Sequence, residues 1–158
     1  MGRNGKLRNL LEIHMLIGQY SHTIDDKKRL SVPTKWRSVF GKTLVATRGL
    51  DTCLFLYTKK EWEKIAEKLV SGSLGSRDSR DLNRFFLSGA TEIEIDSAGR
   101  ILIPEYLKDF AKLKDKIIFA GLYSRIEIWD EKSWEKKQVE VSSKADEVAS
   151  KLQEIGMI

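Results

Sequence analysis

Ile24-Asp25-Asp26-Lys27-Lys28-Arg29-Leu30-Ser31-Val32-Pro33 returns later in the chain as Ile95-Asp96-Ser97-Ala98-Gly99-Arg100-Ile101-Leu102-Ile103-Pro104. Ile, Asp, Arg and Pro recur at matching places, with Asp25 and Asp96 setting an offset of 71 residues. Further on, Gly49-Leu50 matches Gly121-Leu122, Leu54 and Leu56 match Ile126 and Ile128, and Trp62-Glu63-Lys64 matches Trp134-Glu135-Lys136, now at an offset of 72. Spacing this constant marks an internal duplication, with one residue gained between the segments.

Each copy carries the same succession of local signals. Apolar and polar residues alternate over Thr91-Glu92-Ile93-Glu94-Ile95, and less cleanly over Leu16 to Ile24, which predicts a strand with one buried face. Tight turns at 25–28 and 96–99 lead into second strands at 29–32 and 100–103. Pro33 and Pro104 then suit the first turn of short helices running to Phe40 and Ala111. Strands follow at Thr43 to Thr47 and Cys53 to Tyr57, and again at Lys116 to Ala120 and Arg125 to Trp129. Between the copies, Trp62, Ile65, Ala66 and Leu69 form an amphipathic helical stripe. Leu82, Phe85 and Phe86 form a shorter one after the break Ser71-Gly72-Ser73-Leu74-Gly75-Ser76. Ser143 and Asp146 are spaced like a capping box ahead of Val148, Leu152 and Ile155, which predicts a separate terminal helix.

The organisation is therefore an extension at 1–14, a first repeat with its trailing helix at 15–70, a linker and helix at 71–89, a second repeat at 90–141 and a C-terminal helix at 142–158. A copy of about 50 residues buries little surface by itself. Two copies in one chain can complete each other's core about a pseudo-twofold axis, which brings the two turns out on one side of the molecule as a pair.

The chain has 158 residues, 41% hydrophobic and 32% charged, with a mean hydropathy of -0.35. That balance suits a folded globular protein and excludes both a disordered chain and one built of membrane spans. No apolar leader follows the basic residues Arg3, Lys6 and Arg8, and the lone Cys53 fits a reducing cytoplasm. Residues 1–48 hold ten Lys and Arg against Glu12, Asp25 and Asp26, whereas 49–158 hold eighteen basic and twenty acidic residues. The positive excess thus lies in the first third, where it favours a polyanionic partner.

Within Asp-x-x-x-Arg, the aspartate can accept backbone N–H groups of its own turn and meet the arginine that leaves it. The bland outcome is an Asp–Arg pair that only pins the turn; exposed pairs of this kind contribute little. The functional outcome is an arginine aimed at phosphates or a guanine edge. Gly99 suits a positive φ, at which Lys28 in the first copy would cost roughly 1–2 kcal/mol. Either the first turn has another shape, or its added charge is useful.

Asp-x-x-Gly-Arg followed by an aliphatic residue, two more residues and Pro resembles the loop signature of the AbrB-type swapped-hairpin DNA-binding fold. Two copies in one chain, with Gly18-Gln19-Tyr20, Gly49-Leu50-Asp51 and Glu61-Trp62 around the first, resemble the MraZ family of bacterial regulators. The resemblance runs from about Met15 to Trp134. It implies an α+β fold in which two tandem half-folds form one pseudo-twofold, barrel-like β core with flanking helices. It also implies a cytoplasmic, nucleoid-associated protein that assembles into a ring, an octamer or a dodecamer. Such a protein binds short direct repeats of double-stranded DNA in the promoter of its own division and cell-wall gene cluster. Carried over, the DNA contacts are Arg29 and Arg100, with Asp25, Asp96 and Gly99 shaping the turns. Lys27 and Lys28 join them by charge and position, and Lys35 and Arg37 by closeness in sequence.

Other functions find less support. His14, His22 and Cys53 do not make up a zinc-type cluster. Gly41-Lys42-Thr43 lacks the preceding glycine of a phosphate loop, since Trp36 stands there. Glu92 and Glu94 alternate toward water. No enzyme, cofactor, metal, membrane or small-molecule substrate is expected. The aromatic stripe around Trp62, with Trp134, reads as core or subunit interface, Tyr20 and Tyr57 as strand packing, and Phe85 and Phe86 as cover for a neighbouring subunit. The competing function is an interaction scaffold or antitoxin-like module of the same fold; the Lys27-Lys28-Arg29 tip favours phosphate over an apolar protein groove.

Overall fold

The computed structural model describes residues 16–158; the extension at 1–14 and His14 lie outside them. Strands β1 (Leu16–Thr23) and β2 (Arg29–Ser31), helix α1 (Thr34–Phe40), and strands β3 (Thr43–Arg48) and β4 (Leu54–Tyr57) make the first repeat. Helices α2 (Lys59–Val70) and α3 (Arg77–Leu87) follow. The second repeat is β5 (Thr91–Glu94), β6 (Arg100–Leu102), α4 (Glu105–Phe110), β7 (Lys116–Tyr123) and β8 (Ile126–Asp130), and α5 (Glu131–Glu154) closes the chain.

Six strands form one antiparallel sheet in the order β1-β7-β8-β4-β3-β5, and β2 pairs with β6 in a separate two-stranded ribbon. The first strand of each repeat lies on the sheet of the other: β1 pairs with β7 and β5 with β3. Exchanging the repeats leaves the sheet order unchanged. Register locates the axis. In the ribbon Leu30 faces Ile101 while Arg29 faces Leu102 and Ser31 faces Arg100; in the sheet Leu54 faces Ile128 and Leu56 faces Ile126 about the Phe55–Glu127 pair. The pseudo-twofold therefore runs through Leu30/Ile101 and Phe55/Glu127.

The same register corrects the repeat alignment. Thr23 faces Lys116 and the matching Glu94 faces Thr43, so β3 and β7 are equivalent at an offset of 73, not 72. Two residues were gained between α4 and β7, and one was lost between β7 and β8. Strand β7 also continues to Tyr123, past the expected end at Ala120.

Period-two alternation divides the strand residues between two cores. Leu54, Leu56, Ile117, Phe119, Ile126 and Ile128 face the ribbon, where Leu30 and Ile101 close over them and α1 and α4 add Trp36 and Leu107. On the other face Cys53, Phe55, Tyr57, Ile118 and Trp129 are covered by Trp62 and Ile65 of α2, Phe86 of α3 and Trp134 of α5. Tyr20 packs edge-on against Trp36 at 5.0 Å, and Tyr57 lies 5.7 Å from Trp62, the packing roles expected of these aromatics. Pro33 and Pro104 stand at the N-caps of α1 and α4, where a missing N–H costs nothing.

One sequence expectation fails. The tail is not a separate helix. Asp130 caps α5 by accepting the Lys132 N–H at 3.3 Å, and the helix runs unbroken through Ser143, whose hydroxyl donates back to the Glu140 carbonyl. Asp130, next to the end of a buried strand, outcompetes the Ser143 signal because the chain must turn there. Phe85 and Phe86, both half-buried, also have ring partners within the chain. Phe86 stacks on Phe55, and Phe85 meets Phe110 edge-on with Arg48 above its ring.

Candidate nucleic-acid interface

The two turns have the same construction. Asp25 Oδ1 accepts the N–H groups of Lys27 and Arg29 at 2.9 and 2.8 Å, and its Oδ2 accepts Arg29 Nε at 2.9 Å. Asp96 repeats this with Ala98, Arg100 and Arg100 Nε, each at 2.9 Å. In both, the Asp carbonyl accepts the N–H three residues on at 2.9 Å. Lys28 has φ 64° and Gly99 φ 79°, so the first turn keeps its shape and Lys28 bears the left-handed strain. The backbone N–H of Arg29 or Arg100, with the guanidinium beside it, holds each aspartate below the usual carboxylate range.

Those bonds aim the arginines. Nε is anchored in each, and among the described residues Nη1 and Nη2 show no hydrogen bond to protein, which leaves a two-pronged donor face unpaired. Arg29 and Arg100 lie on the ribbon face opposite the buried Leu30 and Ile101, as diagonal neighbours about 7–8 Å apart. Their side chains are 27% and 35% exposed, accessible yet held. Both line one groove of about 420 Å³, with Glu92, Glu94 and Leu102. The expected Asp–Arg pinning is present in both turns, and it leaves the Nη groups of both arginines without a hydrogen bond among the described residues.

The remaining residues separate. Lys27 and Lys28 are exposed at the first turn, and Lys35 is exposed on α1. Arg37 does not join them. Its Nε donates to the Val32 carbonyl at 2.8 Å, and the guanidinium lies across Gly99, where a Cβ would come within 2.2 Å of Arg37 Nε. Gly99 thus serves a positive φ and a close approach together, and Arg37 is a cation of the second turn. Beside it, His22 is held below its ordinary value by burial and then by the Arg37 charge.

Sequence spacing also misses what lies beside the first turn. The Ile24 N–H donates to the Asp115 carbonyl at 2.8 Å, which brings the 111–115 loop of the second repeat alongside it. At the second turn the Ile95 N–H donates to Lys42 at 2.8 Å, in the shorter loop of the first repeat. Strand swapping is the only signal that could have revealed this.

Comparison with known proteins follows the duplication. A family model described as "MraZ protein, putative antitoxin-like" matches twice, over residues 15–85 and 86–154. Proteins named transcriptional regulator MraZ are similar throughout. The one from Caldicellulosiruptor saccharolyticus is 43% identical over 90% of this chain and 100% of its own. Those from Caldanaerobacter subterraneus subsp. tengcongensis and Thermoanaerobacter pseudethanolicus are 46% and 45% identical, over 87% and 90% of this chain and 96% and 100% of theirs. With two matched halves whose boundary falls just before β5, and with swapped hairpins that use the same turn twice, the chain belongs to the MraZ family.

Proposed function

We propose that this chain is a transcriptional regulator, not an enzyme, that grips double-stranded DNA through its paired Asp-x-x-x-Arg turns. The observation that carries this reading is the pair of arginines on one outer face, each fixed through Nε with its Nη groups free. An anchored guanidinium loses little freedom on meeting a phosphate or a guanine edge, and its planar fork suits both. The curated relatives are named as transcriptional regulators, which supports the same reading.

The target is a set of short direct repeats in the promoter of the chain's own division and cell-wall gene cluster. One chain offers few contacts, so binding gains from a ring, an octamer or a dodecamer, that presents many turns to spaced repeats. On this reading the protein works in the cytoplasm with the nucleoid. Lys27, Lys28 and Lys35 are backbone contacts at or near the first turn, and Arg37 supports the second.

Footprinting upstream of the gene tests the proposal, together with the mass of the free assembly. Arg29→Ala removes the footprint, and Arg100→Ala weakens non-specific binding less than Arg29→Ala does. Wild-type affinity in Arg29→Ala would take the turn out of the mechanism, and the reverse ranking would refute the charge argument.

A further inference from the structure

Strand swapping sets the loop of one repeat beside the turn of the other, and the two loops differ. Beside the first turn runs the longer loop, carrying Lys112, Lys114 and Lys116 against Asp115. Lys116 faces Thr23 across the β1–β7 pair, two residues before Asp25. Lys114, Lys116 and Lys132 line a recess of about 340 Å³ there. Three carboxylates share it and keep their charge: Asp115, the buried Asp130, which accepts the backbone N–H groups of Lys114 and Lys132 at 3.1 and 3.3 Å, and Glu131, which accepts the Ser21 hydroxyl at 3.4 Å. Among the described residues, Lys112, Lys114, Lys116 and Lys132 have no ion-pair partner.

The second turn has less of this, although Lys60 of α2 stands at the position equivalent to Lys132. Its neighbouring loop, two residues shorter, brings Lys42 alone, and β5 places exposed Glu92 and Glu94 where β1 has Ser21 and Thr23. Lys27 and Lys28 correspond there to Ala98 and Gly99, and Arg37 is the added cation.

We propose that Lys114, Lys116 and Lys132 form a second phosphate-binding surface that holds the DNA backbone beside the first turn, making that turn the principal source of affinity. The inference rests on the DNA-binding reading above and extends it to residues 89, 91 and 107 positions beyond Asp25. Unpaired ammonium groups around an open recess lower the free energy of a polyanion without fixing its sequence, so they add affinity and salt dependence, not base specificity.

The test uses the full chain and a labelled promoter duplex, with a scrambled duplex beside it. Lys114→Ala/Lys116→Ala/Lys132→Ala is compared with Lys68→Ala/Arg77→Ala/Lys144→Ala, three exposed cations elsewhere whose loss removes the same charge. The first variant should lower affinity for both duplexes by at least about tenfold and reduce the slope of log K against log salt by roughly 2–3. The control should change the slope by less than about one. Equal behaviour of the two variants overturns the proposal, as does saturable binding of inorganic phosphate that the first variant abolishes without any loss of DNA affinity. Arg29→Ala separates the failures. If it loses DNA while the lysine variant does not, only the second surface falls; if neither loses DNA, the DNA-binding reading falls.

Discussion

Lys28→Gly separates folding from binding, because the two respond in opposite directions. Lys28 has φ 64°, while the equivalent Gly99 has φ 79° with the same hydrogen bonds around it. A residue with a Cβ is disfavoured there by roughly 1–2 kcal/mol. Glycine relieves that strain but adds freedom to the unfolded chain, which returns about 0.4–1 kcal/mol. The net gain is about 0.5–1 kcal/mol, equivalent to a rise in Tm of about 1–4 °C for a chain of this size. Lys28 is exposed at the turn with no ion-pair partner among the described residues, so removing its ammonium forfeits no internal contact. Binding should weaken, with the salt slope falling by about 0.9 for the lost phosphate contact. Calorimetry and a salt titration of DNA affinity on the same preparation measure both. A lower Tm would show that the left-handed strain is misjudged. A higher Tm with unchanged affinity and slope would show that Lys28 is not a phosphate contact.

Gly99→Ala should destabilise by about 2 kcal/mol, from the left-handed backbone and from displacing Arg37 off its bond to Val32. On an Arg37→Ala background the same change should cost only the backbone part, and an unchanged cost in the double-mutant cycle would refute the close packing. The Asp96 carboxyl, followed by NMR, should titrate below a free aspartate. Because the largest cause is the backbone N–H of residue 100, Arg100→Ala should restore only part of the shift; full restoration would place the cause in the guanidinium. With its pKa depressed on folding, Asp96 contributes stability at neutral pH that is lost as pH falls through that lowered value.

What could be read from sequence was whatever is encoded locally. Alternation over Thr91 to Ile95, the turn chemistry of Asp25 and Asp96, and the prolines ahead of α1 and α4 act within a few residues. The duplication then doubled each signal. What escaped depends on distant partners. No local property of Leu16–Thr23 says that it pairs with β7, yet that pairing sets the true offset of 73 and brings Lys114 and Lys116 to the first turn. Arg37 escapes in the same way: four residues past Pro33 in sequence, it reaches across the ribbon to Gly99, a contact that closeness in sequence does not show. Ser143 illustrates the opposite error. Its capping pattern is real as a pattern, but Asp130 starts the helix thirteen residues earlier and the Ser143 hydroxyl simply bonds back to Glu140.

The pattern of divergence between the repeats has a physical reason. Where the axis and the shared cores bind both copies, equivalent positions stay alike: Leu30 and Ile101, Val32 and Ile103, Leu54 and Ile126, Leu56 and Ile128 are all buried aliphatics. Each packs against its counterpart's neighbourhood, so a change in one volume is felt by both halves. At the surface no such constraint acts, and there Lys27 faces Ala98 in the alignment, Ser21 faces Glu92 and Thr23 faces Glu94. A reader with equal halves matches a palindrome, because its own twofold is mirrored in the site. Direct repeats have no twofold. On the DNA-binding reading proposed above, a symmetric scaffold carrying one strongly cationic turn and one weakly charged turn would meet such a site in a single orientation, and uniform copies of that unequal pair around a ring would all face the same way along the DNA. Making the turns more alike, by Ala98→Lys with Glu92→Ser and Glu94→Thr and with Gly99 kept for its contact with Arg37, should therefore raise non-specific affinity in a binding titration while blurring the preference for one orientation.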